Sequence, residues 1–170
     1  MGSYLITETI KLQMQKSLQL LQDVAKRVTG LTLTEKPAID IWQYAEPAHE
    51  EPNPQKRNIL QWRRLITSVK DPLETFPGEP VDLIGFVQQT TSLEQFILAR
   101  HVIRCCLADT VPLGLPVYTP HAATFTPNSW LRVQGNFAVQ NIQAKPTLVI
   151  IPKQIKSISQ PKKKYINGVF

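Results

Sequence analysis

Two adjacent cysteines, Cys105 and Cys106, stand just before Asp109 and a few residues after His101, and the candidate chemistry of the chain concentrates there. Thiolates, a carboxylate and an imidazole are the donors zinc takes. Cys105, Cys106 and Asp109 are therefore a candidate metal set, to which folding could add His121. In an extended strand neighbouring side chains point to opposite faces, so both sulfurs reach one ion only at a bulge or turn. Alternation puts His101, Ile103 and Cys105 on one face and Arg100, Val102, Arg104 and Cys106 on the other. At roughly 3.3 Å per residue His101 and Cys105 lie about 13 Å apart, too far to share an ion unless the strand kinks. The plain alternative is one small buried thiol and a second under a loop, neither reactive.

Arg100, Arg104 and Asp109 form a second candidate set. Two arginines on one strand face could bind an anionic ligand; equally, a buried Arg100–Asp109 pair could fix the corner with no ligand at all. His49 in an acidic stretch and His121 in a Pro-bounded loop have no nucleophile or acid partner by sequence, so solvated side chains are expected. No Ser-His-Asp order, nucleophile elbow, P-loop or paired-carboxylate motif is present, which argues against an enzyme.

The elements that must position these residues follow from the pattern. The chain has 170 residues and a net charge of +6, with 14 prolines, which suits one compact domain plus irregular chain. Residues 95–170 hold nine Lys/Arg against Asp109 alone, so the C-terminal half is basic and suited to anionic partners. No run approaches the eighteen or so apolar residues of a membrane span, and no secretory signal opens the chain. A soluble protein is expected.

Residues 1–30 carry an amphipathic helix, with Met14, Leu18, Leu21, Ala25 and Val28 as its stripe and Gly30 at its end. A stripe that short suits docking on a domain or partner better than a free coiled coil. Residues 31–54 are a Pro-rich acidic linker whose apolar knot, Ile39, Ile41, Trp42 and Tyr44, could clip to the domain. A helix is predicted over 54–69, with Ile59, Trp62, Leu65, Ile66 and Val69 inward, stopped by Asp71-Pro72. Strands are predicted over 81–87, 95–106, 115–119, 129–139 and 146–158, with Gly85 and Gly135 marking bends. The fold class is α+β, mainly β: a five-stranded OB-like Greek-key barrel over 55–166, preceded by the helix and linker and followed by a tail at 167–170. An irregular sandwich is the alternative.

The runs Gly78-Glu-Pro-Val-Asp-Leu-Ile-Gly-Phe-Val87, Phe96-Ile-Leu-Ala-Arg-His-Val-Ile-Arg-Cys-Cys-Leu-Ala-Asp109, Pro112-Leu-Gly-Leu-Pro-Val117 and Trp130-Leu-Arg-Val-Gln-Gly135 resemble the soluble C-terminal domain of YcgQ-like proteins. These are small subunits assigned to a two-subunit bacterial permease, and the chain is most similar to cyanobacterial members. The family usually begins with hydrophobic membrane segments. Met1-Gly-Ser resembles an engineered start, as expected where such segments were removed; the alternative is a soluble relative with an amphipathic helix in their place. His101 replaces a usual aromatic residue, and Leu107 and Thr110 replace usual alanines. The family has no settled activity, so the resemblance implies an accessory role.

The function expected is thus a non-enzymatic accessory module that docks on an integral-membrane permease subunit, held at the membrane through a partner or a missing anchor; Lys162–Lys164 could equally be a lipid-headgroup contact or a solvated tail. A small ligand or metal would sit near Cys105, Cys106 and Asp109. No cofactor is required, and zinc is the ion this corner admits. The alternative is an OB-type single-stranded nucleic-acid binder that uses Arg104, Arg132 and Trp130.

Overall fold

The computed structural model divides the chain into two compact units, Met1–Ile39 and Asp40–Phe170. It describes residues 15–17, 19, 41–46 and 51–168. Residues 15–17 and 19 are helical. The rest of the predicted N-terminal helix, and His49, lie outside the described residues.

In the second unit a 3-10 turn at Ile41–Tyr44 leads into β1 (Ala45–Glu46). The helix predicted over 54–69 is split: a 3-10 turn at Pro54–Lys56 precedes α1 (Ile59–Ser68). Asn58 starts α1 because its side chain accepts from the Gln61 N–H while the Gln61 side chain accepts from the Asn58 N–H. A second short helix, α2 (Pro72–Thr75), begins at the predicted Asp71-Pro72 stop. The strands are β2 (Pro80–Gln89), β3 (Gln95–Ile103), β4 (Val111–Tyr118), β5 (Trp130–Ile142), β6 (Lys145–Ile158) and β7 (Tyr165–Asn167).

They form one seven-stranded mixed sheet in the order β1-β7-β3-β2-β5-β6-β4, with β3 also paired to β4. The sheet is therefore partly ring-like. Antiparallel ladders join β3 to β2, β2 to β5, β5 to β6 and β3 to β4. The remaining seam, β4 to β6, is parallel and rests on the pair Val117↔Ile150. The expectation of a mainly β domain holds, but where the sequence predicts a five-stranded OB-like Greek-key barrel the sheet has seven strands and closes only in part. Two strands lie outside the predicted five: β1 falls in the segment the sequence assigns to linker, and β7 spans the predicted boundary of barrel and tail. β7 pairs in parallel with β3, and β1 pairs in parallel with β7. The predicted clip of the linker is real but works through other residues: Ala45 is buried, while Trp42 and Tyr44 are exposed.

Leu83, Val87, Leu98, Val117, Val133 and Ile150 fill the interior of the ring. The predicted face of α1 closes over it, with Ile59 and Trp62 buried and Leu65, Ile66 and Val69 packed against the core. The Trp62 ring meets Phe137 edge-on at 5.0 Å and Phe76 at 6.0 Å. Gly135 lies at the bulge where β5 slips register against β6, and a Cβ there would strike the Ile151 carbonyl.

Trp62 is fully buried, so Trp62→Ala should lower the unfolding free energy by about 3–5 kcal/mol in urea titration. Its Nε1–H has no partner among the described residues. Trp62→Phe, which keeps the ring and removes that group, should cost much less.

Candidate functional site

The predicted strand through Cys106 stops earlier, at Ile103. The Gly168 N–H closes on the Ile103 carbonyl at 2.7 Å, and the chain beyond leaves the sheet. Residues 104–108 are all exposed and lead through a 3-10 turn at Leu107–Asp109 into β4. The Asp109 side chain holds this corner. Its Oδ1 accepts from the Arg104 N–H at 3.1 Å and the Cys106 N–H at 3.4 Å, and its Oδ2 from the Cys105 N–H at 2.8 Å. One carboxylate thus occupies three backbone donors that a continuing strand would have paired.

This turn puts both sulfurs on one side. Cys105 Sγ and Cys106 Sγ are 3.5 Å apart, and with the Asp109 carboxylate they form a group whose ligand atoms lie within 4.8 Å of one another. The structure therefore brings together the candidate metal set. Both thiols are exposed, which corrects the alternative of one buried thiol and a second under a loop. The hydrogen bond to Asp109, then that to Cys106, pushes the Cys105 thiol up to about 11. Desolvation works against the Asp109 carboxylate, but the Cys105 thiol and the three backbone donors outweigh it and hold its pKa below the usual range.

His101 and His121 stand apart from this group. The His101 ring stacks on Phe86 at 4.7 Å, and burial together with Arg100 and Lys164 keeps its pKa below the ordinary value. His121 precedes the short turn at Ala122–Thr124.

Arg100 belongs to neither of the arrangements expected for it. It is 2% exposed and pairs with Glu46 at 2.9 Å, not with Asp109. Its Nε donates to the Lys164 carbonyl, Nη1 to Ile84, and Nη2 to Lys163 and Tyr165. Burial pulls its pKa down and Glu46 pulls it up, with burial the larger effect. A guanidinium buried among four carbonyls and a carboxylate is closed to an anion shared with Arg104, which sits on the exposed corner. Glu46 is the partner the sequence did not reveal, because it stands 54 positions away in a Pro-rich stretch.

Arg132 donates to both oxygens of Asp82, at 2.7 and 2.6 Å, across the β2–β5 ladder. That pairing, aided by Gln134 against the opposing effect of burial, lowers the Asp82 pKa, and it raises that of Arg132. Trp130 packs edge-on to Phe86 at 5.9 Å and lies under the Arg100 guanidinium at 5.4 Å. Neither the Trp130 ring nor the Arg132 fork stands free, as a stacking and phosphate-binding pair would.

Residues 55–167 match the family model described as the DUF1980 C-terminal domain, which bears out the resemblance seen in the motif runs. A solved structure described as the hypothetical protein ygiW from E. coli is similar over 66% of this chain and 100% of its own, at 16% identity and a TM-score of 0.36. No curated protein matches the chain. Among the described residues no helix is long and apolar enough to cross a membrane.

Arg100→Lys replaces a planar five-donor fork with a single ammonium and should lower stability by about 2–4 kcal/mol in urea titration. Glu46→Gln, at a partly exposed position, should cost less. With the Cys105 thiol held near 11, its alkylation by iodoacetamide should rise about tenfold per pH unit up to pH 10. Asp109→Asn should speed that reaction several-fold at pH 8; a rate already at plateau by pH 9 would show that the thiol is not held protonated.

Proposed function

The chain belongs to the DUF1980 C-terminal domain family, a domain of unknown function, and we propose that it is a non-enzymatic accessory module that serves a membrane permease partner and carries a thiophilic divalent ion on its Cys105–Cys106 corner. The observation that carries the metal reading is the sulfur spacing. Zinc–sulfur bonds of about 2.3 Å in a tetrahedron imply an S···S edge of about 3.8 Å. The two Sγ atoms already stand at 3.5 Å. Zinc would bind with little rearrangement, because Asp109 fixes the backbone beneath both thiols.

The permease partner rests on the likeness to YcgQ-like proteins, and the basic C-terminal half suits a partner at a membrane surface. The finer fold reading belongs here as well. Strands β2 to β6 pair around a ring with one parallel seam, which supports an OB-type barrel extended by β1 and β7. The nucleic-acid reading loses support, because Arg132 is held by Asp82 and Trp130 by its neighbours.

Zinc titration of the full chain against a chromophoric chelator tests the proposal. Stoichiometric binding that weakens at least tenfold in Cys105→Ser and in Cys106→Ser is expected. No uptake by a folded, fully reduced protein would overturn the metal reading. Salt-sensitive oligonucleotide binding that falls with Arg132→Ala would favour the alternative instead.

A further inference from the structure

The corner offers an ion only half a shell. The Cys105–Cys106–Asp109 group contains the metal-ligating side chains that cluster there among the described residues. Asp109 is a poor third ligand, because its two oxygens already accept three backbone N–H groups and are drawn on by the Cys105 thiol. It acts as a positioning residue for the sulfurs. A closed tetrahedral site needs four protein donors, and the two thiols supply two adjacent vertices.

The surface around them is built for contact. Leu107 is 58% exposed and Val111 46%, so two large apolar side chains are turned to solvent within six residues after the thiols. Arg104, also exposed, adds one positive charge at the position before Cys105.

We infer that a second copy of this chain supplies the missing two donors, so that one zinc ion joins Cys105 and Cys106 of each copy across a twofold axis. The inference rests on the metal reading above. A twofold contact is isologous, so each residue needs only its own symmetry mate to complete the site. The ion on the axis gains four thiolates from a single pair of positions, and Leu107 and Val111 meet their counterparts around it and leave water. Four thiols give up their protons to solvent as the ion binds. The tetrathiolate then carries a charge of −2, which the two Arg104 side chains offset, while Asp109's own charge is taken up by backbone donors.

The test is light scattering after size-exclusion chromatography on the full, reduced chain at fixed concentration, with zinc added stepwise and bound zinc counted in each peak. The expected result is a doubling of mass that saturates at one zinc per two chains and reverses with EDTA. Leu107→Asp, which leaves the thiols in place, should weaken that dimer at least tenfold while zinc is still bound. Cobalt in place of zinc should give the intense visible bands and thiolate charge-transfer absorption of a four-sulfur tetrahedral site. Zinc bound at one per chain with unchanged mass would overturn the second copy and leave the metal reading standing. A dimer that persists in Cys105→Ser/Cys106→Ser would overturn it too. No zinc uptake at all would remove both readings.

Discussion

One buried guanidinium ties the two ends of the domain to its sheet. β2 runs beside β3 only from Phe86 to Gln89, and beyond Ala99 the place beside β3 passes to β7. Arg100 sits where the strands part, and its donors take up the carbonyls of Ile84, Lys163, Lys164 and Tyr165 there. Buried carbonyls without donors are costly, and only arginine brings five N–H groups in a planar fork to such a gap. Glu46 supplies the counter-charge and thereby holds β1 against β7. A buried ion pair adds little net stability over an apolar filling, yet removing one partner strands the other. Its effect here is positional: residues 46 and 163–165 have one place to go.

The corner with the cysteines depends on that arrangement. β7 keeps β3 in register as far as Ile103, and the Gly168–Ile103 bond ends the ladder. From Arg104 onward the backbone has no neighbouring strand, and the Asp109 carboxylate replaces it as acceptor for three successive N–H groups. A strand would have sent the neighbouring sulfurs to opposite faces; the turn sends them to the same one. The rigid sheet on one side and the carboxylate on the other fix where two solvent-exposed thiols stand. Sites held this way need little ordering when a ligand arrives.

Most of the sheet was legible because its strands alternate over seven or more residues. β2, β3, β5 and β6 lie within a few residues of their predicted ranges, and α1 buries the face its periodicity names. β1 and β7 were not legible: two and three residues carry no period, and prolines and lysines beside them read as irregular chain. The partners of Arg100 were hidden for a different reason. Any residue offers a carbonyl, so main-chain acceptors leave no mark in sequence, and the nearer acid, Asp109, invited a local pairing that does not form. Asp109 itself was singled out correctly, but for the wrong contact. An acid three residues after Cys106 is a local capping signal, and that signal accounts for its bonds to residues 104–106.

The same geometry separates two chemistries that adjacent cysteines can serve. A cysteine that attacks a substrate needs a lowered pKa and a base or cation beside it. Cys105 has a carboxylate as neighbour, and its thiol is raised to about 11 instead. Protonated thiols are slow nucleophiles and resist oxidation. A metal ion displaces thiol protons directly, at a cost in affinity that four sulfurs can more than offset. The 3.5 Å separation agrees: a disulfide needs about 2.05 Å between sulfurs, well inside what is seen, while the edge of a zinc tetrahedron is close to it. Spacing and exposure thus suit an ion able to displace those protons, and Asp109 sets both by holding one turn of backbone.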